Sequence, residues 1–224
     1  MSADWIHAEW PVAENIVAGT TTRDSGTPDL PAEPLWLNQV HGATVLSASD
    51  PVFGDLPPDA DALIATKAND VLAVKTADCL PVLLCSKSGG EIAAAHCGWR
   101  GLAAGLLANT IGAMTTSPDN LLAWFGPAIS QAAYEVGDEV REVFVAADGT
   151  AAACFEANDN GRWQADLYGL ARMKLAAAGV TQIFGGGLCT FNDPKRFFSY
   201  RRERSTGRII SFIYRLQARH DAHE

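Results

Sequence analysis

Short apolar runs separated by turn-forming clusters dominate the chain, and only three stretches carry a helical period. The runs predict strands at Asn15–Thr22, Leu35–Val40, Ala43–Ala48 and Asp61–Thr66. The Pro-, Gly- and Asp-rich segments 24–34 and 50–60 divide them as surface loops. The first ten residues hold Trp5 and Trp10 without a clear period and predict a strand or arm laid on the body. Three further strands follow closely, at Val71–Val74, Leu80–Leu84 and Ile92–Ala95, the last two joined by the Lys-Ser-Gly-Gly turn within 86–90. Leu102, Leu106, Thr110, Ile111 and Met114 then take up helical spacing.

Leu121–Phe125 predicts a short strand closed by Gly126-Pro127, and Asp138–Ala147 a helix with Val140, Val143, Phe144 and Ala147 on one face. The next helix starts at Asp166 as N-cap and stops at Gly179, the residue type that accepts a left-handed helix end. Strands at Val180–Phe184 and Leu188–Phe191 come next, and the end of the chain predicts a hairpin turning at Ser205-Thr206-Gly207. About ten strands and three helices without regular strand–helix alternation give an α+β class, with a mixed or antiparallel sheet. No repeat or linker divides the chain, so residues 1–224 are expected to form a single domain.

Composition narrows the function. No apolar run reaches the roughly 20 residues of a membrane helix, and the N-terminus lacks the basic and apolar regions of a signal peptide, so a cytoplasmic protein without a membrane partner is expected. A net charge of −9 argues against a nucleic-acid partner. Yet Lys195, Arg196, Arg201, Arg202, Arg204, Arg208 and Arg215 concentrate seven of the 17 basic residues in one segment. A local cationic wall in an acidic protein suits a small anionic ligand. Five cysteines, an odd number, argue against disulfides and allow thiol or metal chemistry.

Three metal-competent side chains sit at predicted strand ends. His41 follows Leu35–Val40, Cys79 lies between two strands, and His96 ends another. His7 is near one terminus, and His220 and His223 read as solvated tail. One Cys with two His makes a three-ligand zinc site with its fourth position open, the catalytic arrangement. Two other readings stand beside it. A buried Cys is commonly a small hydrophobe and a lone His a hydrogen-bonded core residue; alternatively, Cys79 is a nucleophile with His41 or His96 as base.

Asp78 is placed to orient a histidine or shuttle a proton. Gly98, Gly101 and Gly105 surround Trp99-Arg100 at a helix entry, and Arg23, Arg100 and the Arg201-Arg202 pair, the latter read as strand residues, are candidates to hold a phosphate or carboxylate. Trp99, Phe198 and Tyr200 are candidates to stack on a planar base, or are core.

The segments NQVHG (38–42), KTADCLPVLL (75–84), AAAHCGWRGLAAGLL (93–107), GPAISQAAYEVGDEV (126–140) and FFSYRRERSTGR (197–208) resemble the YfiH family. That family is also called the laccase-domain, polyphenol oxidase or peptidoglycan editing factor family, and includes FAMIN. The resemblance implies a sandwich of mixed β-sheets flanked by helices, with His41, Cys79 and His96 as ligands of a metal, usually zinc. It places Arg23, Arg100, Ser199 and Arg201 around the pocket as substrate-binding residues.

It also implies three activities: phosphorolysis of purine nucleosides with adenosine deamination, editing of nucleotide-linked muramyl precursors by an amidase, and copper-dependent phenol oxidation. Five histidines cannot furnish a multicopper centre, and Met1, Met114 and Met173 show no relation to the triad as axial ligands, so Zn2+ is preferred to Cu2+. The leading expectation is a zinc enzyme acting on a purine nucleoside with phosphate, with Asp78 joining the triad in catalysis. The precursor amidase is next, and a non-catalytic ligand-binding protein stands as the third class.

Overall fold

The computed structural model describes residues 5–26 and 28–217; His220, His223 and Met1 lie outside them. In chain order the elements are β1 (Ile6–His7), β2 (Ile16–Thr20), β3 (Val45–Ser47), β4 (Ala62–Ala65), β5 (Val71–Thr76), β6 (Leu80–Ser86) and β7 (Ile92–Cys97). Helices α1 (Trp99–Ala103) and α2 (Leu106–Ala113) follow, then β8 (Leu121–Phe125), β9 (Glu135–Val136), α3 (Asp138–Ala147), β10 (Phe155–Ala157), β11 (Trp163–Ala165), α4 (Leu167–Ala177), β12 (Gln182–Gly185) and β13 (Ile209–Arg215).

The architecture is α+β, a sandwich of mixed sheets flanked by helices. A six-stranded sheet runs β12-β8-β6-β7-β4-β3, parallel at its two outer pairs and antiparallel between them. A four-stranded antiparallel sheet, β1-β2-β13-β5, faces it. The period of two explains the layers. Leu72 and Val74 of β5 meet Leu83, Cys85, Ile92 and Ala94 between the sheets, while Val82, Leu84, Ala93 and Ala95 turn the other way onto the helices. A small sheet, β10-β11-β9, adjoins α3.

One connection matters most for the site. Strands β5 and β6 belong to different sheets, so Ala77, Asp78 and Cys79 carry the chain across the sandwich in three residues. Cys79 is thereby held at the mouth between the layers, one residue before a fully buried strand.

Several expectations are corrected. The predicted helix from Leu102 to Met114 is two helices, because Gly105 adopts a left-handed φ of 88° and ends the first after one turn. On α3, Val140 and Phe144 are buried but Val143 and Ala147 are exposed, so the apolar face is narrower than the sequence suggested. Leu35–Val40 is not a strand. It makes single bridges at Leu35 and Asn38, and Gln39 imitates a strand partner with its side chain, donating from Nε2 to Lys75 O and accepting from Lys75 N, both at 2.8 Å.

Residues 188–191 make one bridge, Cys189 to Ala128, after three successive left-handed glycines at 185–187. The C-terminal hairpin is absent among the described residues: β13 pairs with β2 and β5, and 197–207 is a string of turns. Arg201 and Arg202 are therefore loop residues. The helix over 167–177 stands as read, with the Asp166 carboxylate accepting from Gly169 N at 2.9 Å and Gly179 left-handed at φ 90°.

Candidate metal and substrate site

The ligand atoms of His41, Cys79 and His96 lie within 4.8 Å of one another, and among the described residues no other group of three such side chains converges so closely. His96 is the penultimate residue of β7, with its side chain on the face opposite to Cys97, whose thiol is in the helix-side core. His41 arrives from a loop with φ 61°, a left-handed conformation that a non-glycine residue holds only when fixed by its surroundings. Here the fixing group is Asp61. Its carboxylate, fully buried immediately before β4, accepts from His41 N at 2.9 Å, from Gly42 N at 2.6 Å and from His96 Nδ1 at 2.8 Å. One side chain thus holds both histidine-bearing segments and leaves His96 Nε2 for the site.

The electrostatics follow from this arrangement. Burial pushes the Cys79 thiol up, but hydrogen bonds from His41 and His96 outweigh it and bring the pKa down to about 6. Burial lowers His96, while Asp61 and Cys79 on either side raise it to about 9. Burial raises Asp61 too, yet its bonds from His96, Gly42 and His41 keep it below the usual carboxylate value. Cys85, by contrast, is pushed up to about 12 by burial alone. Among these thiols Cys79 is the one prepared as a thiolate.

Gly98 supports a metal-holding role. A Cβ there would come 3.0 Å from His41 Cδ2 and 3.1 Å from Cys79 Sγ, so the glycine keeps open the space between two ligands. The donor set, one thiolate and two imidazoles, is one that would suit zinc. A copper electron-transfer centre fits less well. Met114 is buried against the helices and Met173 lies 3.6 Å from Cys154, and neither borders the triad's pocket. Five histidines in the sequence also fall short of a multicopper cluster.

The triad opens into a pocket of about 610 Å³. Its polar wall includes Asp78, Arg100, Arg201, Arg208, Lys75 and Tyr134; Trp99, Leu37, Ile129 and Tyr200 contribute apolar and aromatic surface. Arg100 lies beside the Trp99 ring at 4.5 Å, and Arg201 stacks over Tyr134 at 5.3 Å while donating to Glu135 O.

The sequence candidates divide as follows. His41, Cys79, His96, Asp78, Arg100 and Arg201 all border the pocket. Ser199 and Arg23 are not on its wall. Ser199 is buried and donates to Asp78 Oδ2 at 3.1 Å, and Arg23 reaches Glu203 at 3.5 Å and packs over Phe198. Asp78 itself does not orient a histidine. Its carboxylate accepts from Thr190 Oγ1, Ser199 Oγ and Arg201 N, holding the crossing turn at φ 100°. Arg202 donates to the carbonyls of Thr190, Phe191 and Phe197 and, from Nε, to the Glu203 carboxylate, and so braces the loop.

Asp61, Lys75 and Tyr134 were missed. A lone aspartate directly ahead of an apolar strand was the available signal for Asp61; Lys75 and Tyr134 resemble any exposed lysine or core tyrosine.

Comparison with known proteins agrees with the motifs. A family model described as multi-copper polyphenol oxidoreductase laccase matches residues 13–216. An Escherichia coli (strain K12) protein named purine nucleoside phosphorylase YfiH is 50% identical over 186 residues, covering 83% of this chain and 75% of its own. A Pseudomonas aeruginosa protein also named a purine nucleoside phosphorylase is 42% identical over 240 aligned positions, covering 94% of this chain and 98% of its own. A crystal structure of a Neisseria meningitidis protein superposes with a TM-score of 0.88 at 39% identity, covering 96% of this chain and 100% of that one.

Proposed function

Because the chain belongs to the multi-copper polyphenol oxidoreductase laccase family, and its Escherichia coli and Pseudomonas aeruginosa relatives carry the name purine nucleoside phosphorylase, we propose that it is a zinc-dependent purine nucleoside phosphorylase. The observation that carries this reading is the open His41–Cys79–His96 group at the base of a pocket with arginines on its wall. A bound zinc supplies Lewis acidity toward the purine at that end of the pocket.

The chain's own residues provide the remainder. Asp61 fixes the two histidines. Arg100 and Arg201 neutralise phosphate, and Trp99 and Tyr200 offer faces for a planar base. In the reaction, a phosphate oxygen bonds to the sugar C1′ as the bond from C1′ to the base nitrogen breaks. The electron pair leaves with the purine, which takes up a proton, and ribose 1-phosphate is the second product. Deamination of adenosine is a second activity for the same centre.

The test is direct. Zinc-loaded protein is incubated with inosine or adenosine, with and without phosphate, and free base, ribose 1-phosphate and inosine are followed by chromatography. Phosphate-dependent release of base that disappears in Cys79→Ala is expected. No turnover, or equal turnover by Cys79→Ala, refutes the proposal.

A further inference from the structure

The inward positions of β5 read Leu72, Val74 and Thr76. The first two fill the space between the sheets. Thr76 is the last before the crossing turn, is 1% exposed, pairs with Ile209 of β13 and borders the pocket of the triad. Its Oγ1 has no hydrogen-bond partner among the described residues. Three other buried polar atoms share that condition, Arg141 Nε, Gln164 Oε1 and Thr206 Oγ1, and none of their residues borders the pocket. A buried hydroxyl without a partner is a standing cost to the free protein, and a valine would fill the same volume without it. The cost is recovered when a ligand brings a matching group.

We propose that Thr76 is a substrate-contacting residue whose Oγ1 hydrogen-bonds a ribose hydroxyl of the nucleoside. The proposal rests on the nucleoside reading above. The partner is a neutral hydroxyl rather than a phosphate oxygen because the adjacent cations are engaged elsewhere. Lys75 Nζ lies 4.0 Å over the Trp36 ring, which packs on the outer face of β5, and Arg208 Nη1 donates to the carbonyls of Thr206 and Gly207, both at 2.9 Å. A phosphate dianion calls for charged donors, which Arg100 and Arg201 offer on the pocket wall, whereas Thr76 Oγ1 offers a single neutral group. A hydroxyl both donates and accepts, so it fits a sugar hydroxyl in either sense.

The experiment compares Thr76→Val and Thr76→Ser with the wild type, all full-length and zinc-loaded, by calorimetric binding of inosine without phosphate and of inorganic phosphate alone. Thr76→Val is expected to weaken inosine about three- to tenfold, the worth of one neutral hydrogen bond, and to leave phosphate and zinc affinity unchanged. Its melting temperature stays level or rises, since an unsatisfied group has been removed. Thr76→Ser keeps inosine affinity within about twofold of wild type.

Among 2′-, 3′- and 5′-deoxyinosine, the analogue lacking the contacted hydroxyl binds wild type and Thr76→Val alike, closing a double-mutant cycle. Inosine binding equal in wild type and Thr76→Val overturns the assignment alone. A Thr76→Val protein that loses melting temperature and zinc together with inosine shows a structural hydroxyl and also overturns it. A wild type that binds phosphate but no inosine overturns the nucleoside reading, and this assignment with it.

Discussion

Replacing Asp61 tests whether the two histidines are held by one buried carboxylate. In Asp61→Ala, three N–H donors lose their acceptor: His41 N, Gly42 N and His96 Nδ1, now at 2.6 to 2.9 Å from it. A buried donor left unpaired costs about 1–3 kcal/mol. The His41–Gly42 loop is open enough for water to replace part of this, so about 3 kcal/mol in total is expected for the metal-free protein.

Asp61→Asn is the sharper variant. The amide keeps the shape but has one acceptor oxygen and an NH2 group, and three donors face it. In the Oδ2 position the NH2 opposes Gly42 N–H; in the Oδ1 position it opposes His41 N–H and also forces His96 to accept at Nδ1. In that tautomer the proton sits on Nε2, the nitrogen aimed at the ligand group. Zinc affinity should fall about 10- to 100-fold, equivalent to about 1.4–2.7 kcal/mol. Competition with a calibrated chelator, alongside thermal melting of metal-free protein, measures both effects. Zinc affinity within twofold of wild type in Asp61→Asn would refute the reasoning.

Other outcomes follow from the same geometry. Gly98→Ala meets no backbone obstacle, since Gly98 has φ −75° and ψ 166°, but its Cβ would crowd His41 and Cys79; zinc binding should weaken by about tenfold or more while the metal-free melting temperature holds, and undiminished affinity would count against the triad as the ligand set. At pH 7 His96, with a pKa of about 9, carries a proton, while Cys79, at about 6, is mostly thiolate. Zinc binding should therefore release about one proton, falling toward none above pH 9, as read by calorimetry in buffers of different ionisation enthalpy; proton uptake would contradict this. Glu91, whose buried carboxylate accepts from Thr115 N and Thr116 N, is remote from the pocket wall. Glu91→Ala should cost about 2 kcal/mol of stability in denaturant unfolding and leave zinc affinity intact.

The strands β4 to β8 were legible because they are short, nearly continuous apolar runs, buried on both faces, with turn residues at their ends. Helix α4 was legible because Asp166 and Gly179 mark it at both ends. Where side chains stand in for backbone pairing, the pattern misleads. Leu35–Val40 is an apolar run closed by a turn, like a strand, yet Gln39 uses its amide group to do a neighbouring strand's work. Phe197 to Arg202 is rich in aromatic residues like a strand too, but Ser199 and Arg202 bind across the loop and hold it in turns. The triad was visible as residue types at element ends. Asp61 was not, because one carboxylate serving two distant segments leaves no spacing to read.

The turn at Asp78 bears on the order in which the protein is made. All three donors that hold its carboxylate, from Thr190, Ser199 and Arg201, are more than 110 residues downstream, at sequence separations of 112, 121 and 123. A nascent chain that has left the ribosome only as far as α4 contains His41, Cys79 and His96 but none of these anchors. A left-handed φ of 100° at an aspartate is a conformation the chain does not hold unaided. The thiolate next to it therefore reaches its final position only once the chain through Arg201 has emerged, so that any ligand of this thiolate would be taken up late, after the loop that carries Thr190, Ser199 and Arg201 has folded back.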